Sequence, residues 1–322
     1  MQDAEIVRRE AVLTGELAHP ATRRLPTLVW VALVTVYVLW GSTYLGIRVA
    51  VATMPPLLMG GTRFLIAGLL LCAWRLPAAI RAGTLPTRAQ WRRALVIGAL
   101  LLVGGNGAVA VAETTVPSGL TALIVSVVPL YMALIDRVFY RRRLSVDTLL
   151  GLVVGFACVA LLVGVPVGGS ALPFGVGTLI LIVGSLSWAA GSIYSRSAQL
   201  PDDSLLFTGM QMFAGGAMLA AGGLALGEAG RVHLAAISAG SWIAFGYLVI
   251  FGGVVGFSAY LWVIRNAPTS LVSTYAYVNP VVAVVLGWAI LHEELSVRTI
   301  VAGTIIVASV AWIVARSRTP EG

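Results

Sequence analysis

The feature that most confines this chain is a succession of apolar stretches. Each is close to the 20 or so residues that an α-helix needs to cross about 30 Å of hydrocarbon. Ten are read, at 28–48, 57–75, 94–113, 117–136, 147–165, 175–195, 204–226, 240–263, 269–291 and 298–316. Pro and Gly cluster between them, at Met54-Pro55-Pro56, Val116-Pro117-Ser118, Val165–Gly169, Pro201-Asp202-Asp203 and Ala267-Pro268, with an Arg-rich breaker over 75–93. Such residues stop helices. A soluble fold could not hide a chain of 322 residues that is 59% hydrophobic and only 11% charged, against about 25% charged in soluble domains. In lipid, backbone polar groups must be satisfied within the segment. The expected fold class is therefore an all-α polytopic membrane protein with ten transmembrane helices, the spans leaving a tail at 1–27 and another at 317–322.

All 21 basic residues are Arg, and the net charge is +8. Without Lys the chain cannot carry a P-loop or form a retinal or pyridoxal Schiff base. The basic balance does not form one soluble patch, so no nucleic-acid partner is expected. The arginines flank the spans instead. With ten spans and both termini cytoplasmic, 17 arginines fall inside, Arg48, Arg231 and Arg298 fall outside, and Arg63 lies within a span. That asymmetry matches the positive-inside rule and predicts a multi-pass protein of the inner (plasma) membrane. The first 26 residues hold four Arg and four acids, too mixed for a signal peptide, so the first span reads as retained. Cys72 and Cys158 lie in apolar spans and read as small hydrophobes.

The sequence also repeats. Pro117–Ser145 laid over Pro268–Ser296 aligns Pro117 with Pro268, Leu120 with Leu271, Pro129 with Pro280 and Leu144-Ser145 with Leu295-Ser296. At a shift of 148, Trp40 meets Trp188, Arg48 meets Arg196, Gly61 meets Gly209 and Gly68 meets Gly216. These matches predict two five-helix repeats, 28–165 and 175–316. Five is odd, so the second copy should be inverted. The loop charges agree: Arg141-Arg142-Arg143-Leu144-Ser145 corresponds to His292-Glu293-Glu294-Leu295-Ser296. Inverted repeats are characteristic of secondary transporters, whose substrate site lies at the repeat interface.

Several stretches resemble the EamA family of the drug/metabolite transporter superfamily. They are Leu39-Trp40-Gly41-Ser42-Thr43-Tyr44, Pro55-Pro56 with Arg63-Phe64, Ser118–Leu123 with Pro129-Leu130, Tyr277-Val278-Asn279-Pro280-Val281-Val282 and His292–Ser296. The resemblance covers the chain after residue 27. It implies a ten-helix bundle of two inverted five-helix repeats around a central cavity. It also implies transport of small metabolites, often efflux of amino acids or related compounds. The three arginines at 141–143 depart from the family, which often carries Glu before Leu-Ser.

Arg63 is the strongest single signal, because a charge within a span should face the bundle interior or water. It either binds a substrate carboxylate or phosphate, or pairs with Glu113 or helix-end carbonyls. Asn106 needs a polar partner in its span. The in-span aromatics Trp40, Tyr44, Trp188, Tyr260 and Tyr275, with Asn279, complete the candidate substrate site; each aromatic could equally be packing. Pro129 and Pro280 each remove a backbone donor at matched positions and are candidate hinges. No metal cluster is read, since His292-Glu293-Glu294 lacks the second His of H-E-x-x-H and reads as a solvated loop. No cofactor is called for. Glu113 and Asp136 sit near span ends and no carboxylate is central, which leaves the driving ion open.

The expected function is secondary transport of a small organic metabolite by alternating access, with export favoured by the resemblance. An uptake permease for sugars or nucleotide-linked metabolites is the alternative, and a membrane-embedded enzyme a remote one. The expected partners are that small-molecule substrate and the lipid bilayer; the oligomeric state is open, and a monomer suffices.

Overall fold

The computed structural model describes residues 27–139, 150, 153–154, 157, 175–198, 200–267 and 274–316. Nine helices run through these residues: α1 (Thr27–Ala50), α2 (Pro56–Arg81), α3 (Arg88–Ala112), α4 (Ser118–Phe139), α5 (Val176–Ser197), α6 (Ser204–Ala225), α7 (Ala239–Tyr247, continuing through Leu248–Val255 to Gly256–Asn266), α8 (Tyr275–Leu291) and α9 (Val297–Arg316). Seven are long and apolar enough to cross a membrane, and no strand is present among the described residues. The expected span at 147–165 lies almost wholly outside the described residues, as do both predicted tails and the Arg141–Arg143 loop.

The helices begin where chemistry can satisfy their first amide groups. Pro56 opens α2, a position where its missing N–H costs nothing. The Glu228 carboxylate then accepts from Leu57 N at 3.2 Å and Leu58 N at 2.8 Å. Thr87 and Gln90 form a reciprocal capping box at α3. Asp203 caps α6 through Leu205 N and Leu206 N and also accepts from Arg75 Nε at 2.8 Å. The expected breaker over 75–93 is consequently much shorter. α2 continues through Pro77 to Arg81, and the capping box restarts helix at Arg88. The arginines there sit on the ends of two helices, not in a loop.

α2 and α6 pack antiparallel along a seam of glycines. A Cβ on Gly61 would lie 2.5 Å from Ala220 N, and one on Gly68 2.5 Å from Phe213 N. Gly61 O faces Gly216 and Gly68 O faces Gly209. Small residues let helix backbones approach closely, so dispersion and weak polar contacts replace the hydrophobic drive that lipid does not supply. Large side chains point the other way: Trp30, Val31, Val34 and Val38 of α1 are exposed, as a hydrocarbon-facing stripe should be.

Two helices depart from α geometry. Ala99–Gly107 in α3 and Leu248–Val255 in α7 are wound as π-helix. Each contains a glycine pair, Gly104-Gly105 and Gly252-Gly253, that lies 148 residues from its counterpart. The two candidate hinges behave differently. In α4 the regular helix is interrupted between Val125 and Val128, just before Pro129. α8 runs unbroken through Pro280. The same residue type thus breaks one helix and is absorbed by the other.

Candidate functional site

Polar side chains gather at one end of the bundle, where α1 finishes, α2 starts, α3 finishes and α4 starts. Arg63, in the second turn of α2, is 5% exposed. Its Nη2 donates to Asn106 Oδ1 at 2.9 Å, and its guanidinium carbon lies 4.3 Å from the centroid of the Phe64 ring. Its Nε is buried with no partner. Asn106 belongs to the π-helical stretch of α3, and its amide nitrogen lies 3.5 Å from Leu101 O. The extra residue per turn therefore aims the Asn106 oxygen at α2.

Glu113 follows the last turn of α3. Its side chain is fully buried, and neither carboxylate oxygen has a hydrogen-bond donor. Arg48, Arg63 and Glu293 act on it electrostatically. Arg48 of α1 spends a donor on the Glu113 backbone carbonyl rather than on the carboxylate. Of the two partners the sequence allowed Arg63, Glu113 acts on it through charge without a hydrogen bond, and its side-chain bond is to Asn106.

In the loop expected to be solvated, His292 and Glu294 are exposed, but Glu293 is half-buried and engaged. Its carboxylate reaches from the turn after α8 to the start of α4, accepting from Ser118 N at 2.7 Å, Ser118 Oγ at 2.8 Å and Gly119 N at 3.0 Å. His292 before it takes a left-handed backbone conformation, φ 53°. Among the described residues no group of His, Cys, Asp and Glu has the geometry to hold a metal ion.

The aromatic candidates fall into two places. Trp40 meets Tyr260 at 4.8 Å and Tyr275 at 5.4 Å between ring centroids, and Tyr260 meets Tyr275 edge to face at 5.7 Å. Phe257, which sequence reading missed, joins them 5.1 Å from Trp40. It lies one turn before Tyr260 on the same helix face, and that spacing was the available signal. Tyr44 lies one turn beyond Trp40 on α1. Glu113 and Tyr275 both act on its hydroxyl electrostatically, so it joins the aromatic cluster to the charged corner. Trp188 instead packs on α3, where a Cβ on Gly105 would lie 2.6 Å from its ring, and against the α4 core around Leu123 and Val127. Trp40 packs likewise on Gly256 of α7.

Asn279, 8% exposed, holds α8 to α1. With its amide nitrogen turned to the carbonyls it faces, it donates to Tyr37 O and Tyr275 O, each at 3.3 Å. Gly41 permits the contact, since a Cβ there would meet Val282 at 2.6 Å. The ends of one region are therefore set: a fixed cation and a buried acid at one side, a group of aromatic rings at the other.

Comparison with known proteins bears on the family. The profile of the EamA-like transporter family matches residues 27–164 and again 175–315. The Escherichia coli (strain K12) protein named uncharacterized inner membrane transporter YedA is 39% identical over 282 residues, covering 87% of this chain and 88% of its own. The uncharacterized transporter YvbV of Bacillus subtilis (strain 168) is 26% identical, covering 88% and 90%. A protein of known crystal structure shares the fold, with a TM-score of 0.60 over 90% of this chain and 99% of its own, at 22% identity.

Proposed function

Since the chain belongs to the EamA-like transporter family and is a polytopic membrane transporter, we propose that it exports a small organic metabolite across the inner membrane by alternating access. The substrate we propose is an amino acid or related compound. The observation that carries this reading is Arg63, a buried cation with a donor, Nε, that the protein leaves unused. A substrate carboxylate would take that donor, and the desolvation already spent on the guanidinium makes the contact strong. The apolar part of the substrate would lie toward Trp40, Tyr260 and Tyr275. The name of the Escherichia coli relative supports placement in the inner membrane.

The architecture we propose is ten spans in two inverted five-helix repeats around a central cavity, with both termini cytoplasmic. Four observations support it. The family profile matches twice. The glycines paired by the internal repeat, Gly61 with Gly209 and Gly68 with Gly216, touch reciprocally across the α2–α6 seam, as a two-fold axis requires. The two π-helical stretches carry glycine pairs in register. Trp40 packs on the π-containing helix of the other half, and Trp188 does the same in return. The charged corner then faces outward and the Arg75–Asp203 pair faces the cytoplasm. α3 and α7, with the break before Pro129, are the elements suited to move.

A growth-resistance panel tests the function. A bacterial host expressing the chain would be challenged with toxic amino acids, their analogues and common cationic drugs, beside an empty vector. Resistance to one carboxylate-bearing class, with less of that compound retained, is the expected result. Greater sensitivity with greater uptake would reverse the direction. Resistance confined to cationic drugs would remove Arg63 from the binding role.

A further inference from the structure

We propose that Glu113 is a proton-binding carboxyl whose ionisation opens this end of the bundle, an inference that rests on the transport reading. Three of the five buried side-chain polar atoms without partners among the described residues belong to Arg63 and Glu113. Arg63 retains a bond to Asn106, whereas the Glu113 carboxylate has none. An ionised carboxylate taken out of water costs several kcal/mol unless charge and hydrogen bonds compensate. Here the hydrogen bonds are missing. In this closed arrangement a proton on the carboxyl removes the burden, and opening the corner to water would release it.

The groups facing Glu113 fit that cycle. α1 supplies Arg48 and the Tyr44 hydroxyl, α2 supplies Arg63, and α8 supplies Tyr275, which acts on Tyr44. α5 presents Gly177 and Leu181 to the same stretch. The turn after α8 supplies Glu293, which repels a charged Glu113. Glu293 also lines an open groove with Trp288, His292, Glu294 and Leu295, while its oxygens hold the start of α4. Half-buried Glu293 thus lines the groove and acts by its charge on buried Glu113. When Glu113 is neutral, Glu293 rests on Ser118 and Gly119 without like-charge repulsion and that end stays shut. When Glu113 is charged, repulsion between the two carboxylates weakens the latch. The proton moves from water to a Glu113 oxygen and back to water when that end opens, so no other reactant is needed.

Infrared difference spectra of the purified full-length protein between acid and alkaline pH test this with the proton as the only ligand. Wild type should show the C=O band of a solvent-shielded carboxylic acid that disappears on alkalinisation. Glu113→Gln should lose that band, and Glu113→Asp should keep one at a shifted frequency. A band that persists in Glu113→Gln, or a wild type with no such band, would overturn the proposal. Should Glu113→Gln fail to fold, Glu113→Asp decides, because an unshifted band would assign the titration to another carboxyl. Transport without a titrating Glu113 would sink the gating role alone. A titrating Glu113 with no solute flux would sink the transport reading alone.

Discussion

At the scale of single residues, the chain places charge where lipid makes charge expensive and leaves part of it unsatisfied. Arg63 was legible from sequence because a lone charge inside an apolar span has few innocent explanations. Asn106 was legible for a similar reason. From sequence Glu113 is only a candidate partner of Arg63, and Glu293 reads as part of a solvated loop; the burial of the one and the engagement of the other with Ser118 come from tertiary packing. The Glu293 cap carries a direct expectation. Glu293→Ala removes the acceptor for Ser118 N and Gly119 N and should lower stability by about 1 kcal/mol, in line with other lost caps. Thermal unfolding of the detergent-solubilised protein would show a lower Tm, with Glu293→Gln falling between the two. An unchanged Tm in Glu293→Ala would mean the cap is idle. Phe257 shows the opposite limit: its spacing from Tyr260 was visible, but nothing in the sequence says which helix face meets Trp40.

At the scale of helices, the positions of apolar spans were readable and their ends were not. Hydrophobic length fixes where a helix crosses, whereas caps such as Thr87 with Gln90 fix where it begins. The π-helical stretches escaped notice although Gly104-Gly105 and Gly252-Gly253 mark both. Glycine pairs in a span read first as packing, and the winding depends on what fills the space they leave. The α2–α6 seam is where glycine matters most. Gly68→Val would drive a side chain against the Phe213 backbone, 2.5 Å from the new Cβ. Backbone cannot change rotamer, so the cost should reach about 3 kcal/mol, the upper part of the overpacking range. Gly222 lies on the partner helix α6 with nothing within 4 Å of an added Cβ, and Gly222→Ala should leave stability unchanged or raise it by up to about 1 kcal/mol. Fluorescence-detected size exclusion after heating would separate them. Equal behaviour of the two variants would deny the seam its role.

For the whole molecule, the internal repeat and the arginine asymmetry are the basis of the proposed architecture. The sequence supports inversion through the Arg141–Arg143 and Glu293-Glu294 loops, and the reciprocal glycine contacts point the same way. The proposed orientation predicts that a reporter at residue 142 reads as cytoplasmic and one at residue 168 as external; the reverse would invert the carrier and with it the export reading. Substrate identity stays illegible, because aromatic rings and one guanidinium accept many molecules with an anionic head. The central claim is that Arg63 holds that head during transport. Its most direct test is efflux from proteoliposomes of the compound selected by the resistance panel, comparing wild type with Arg63→Ala of verified fold. Loss of a buried charged contact of about 2 kcal/mol corresponds to a fall of about 30-fold in apparent affinity, and flux at low substrate should drop accordingly. Undiminished flux in folded Arg63→Ala would contradict the account.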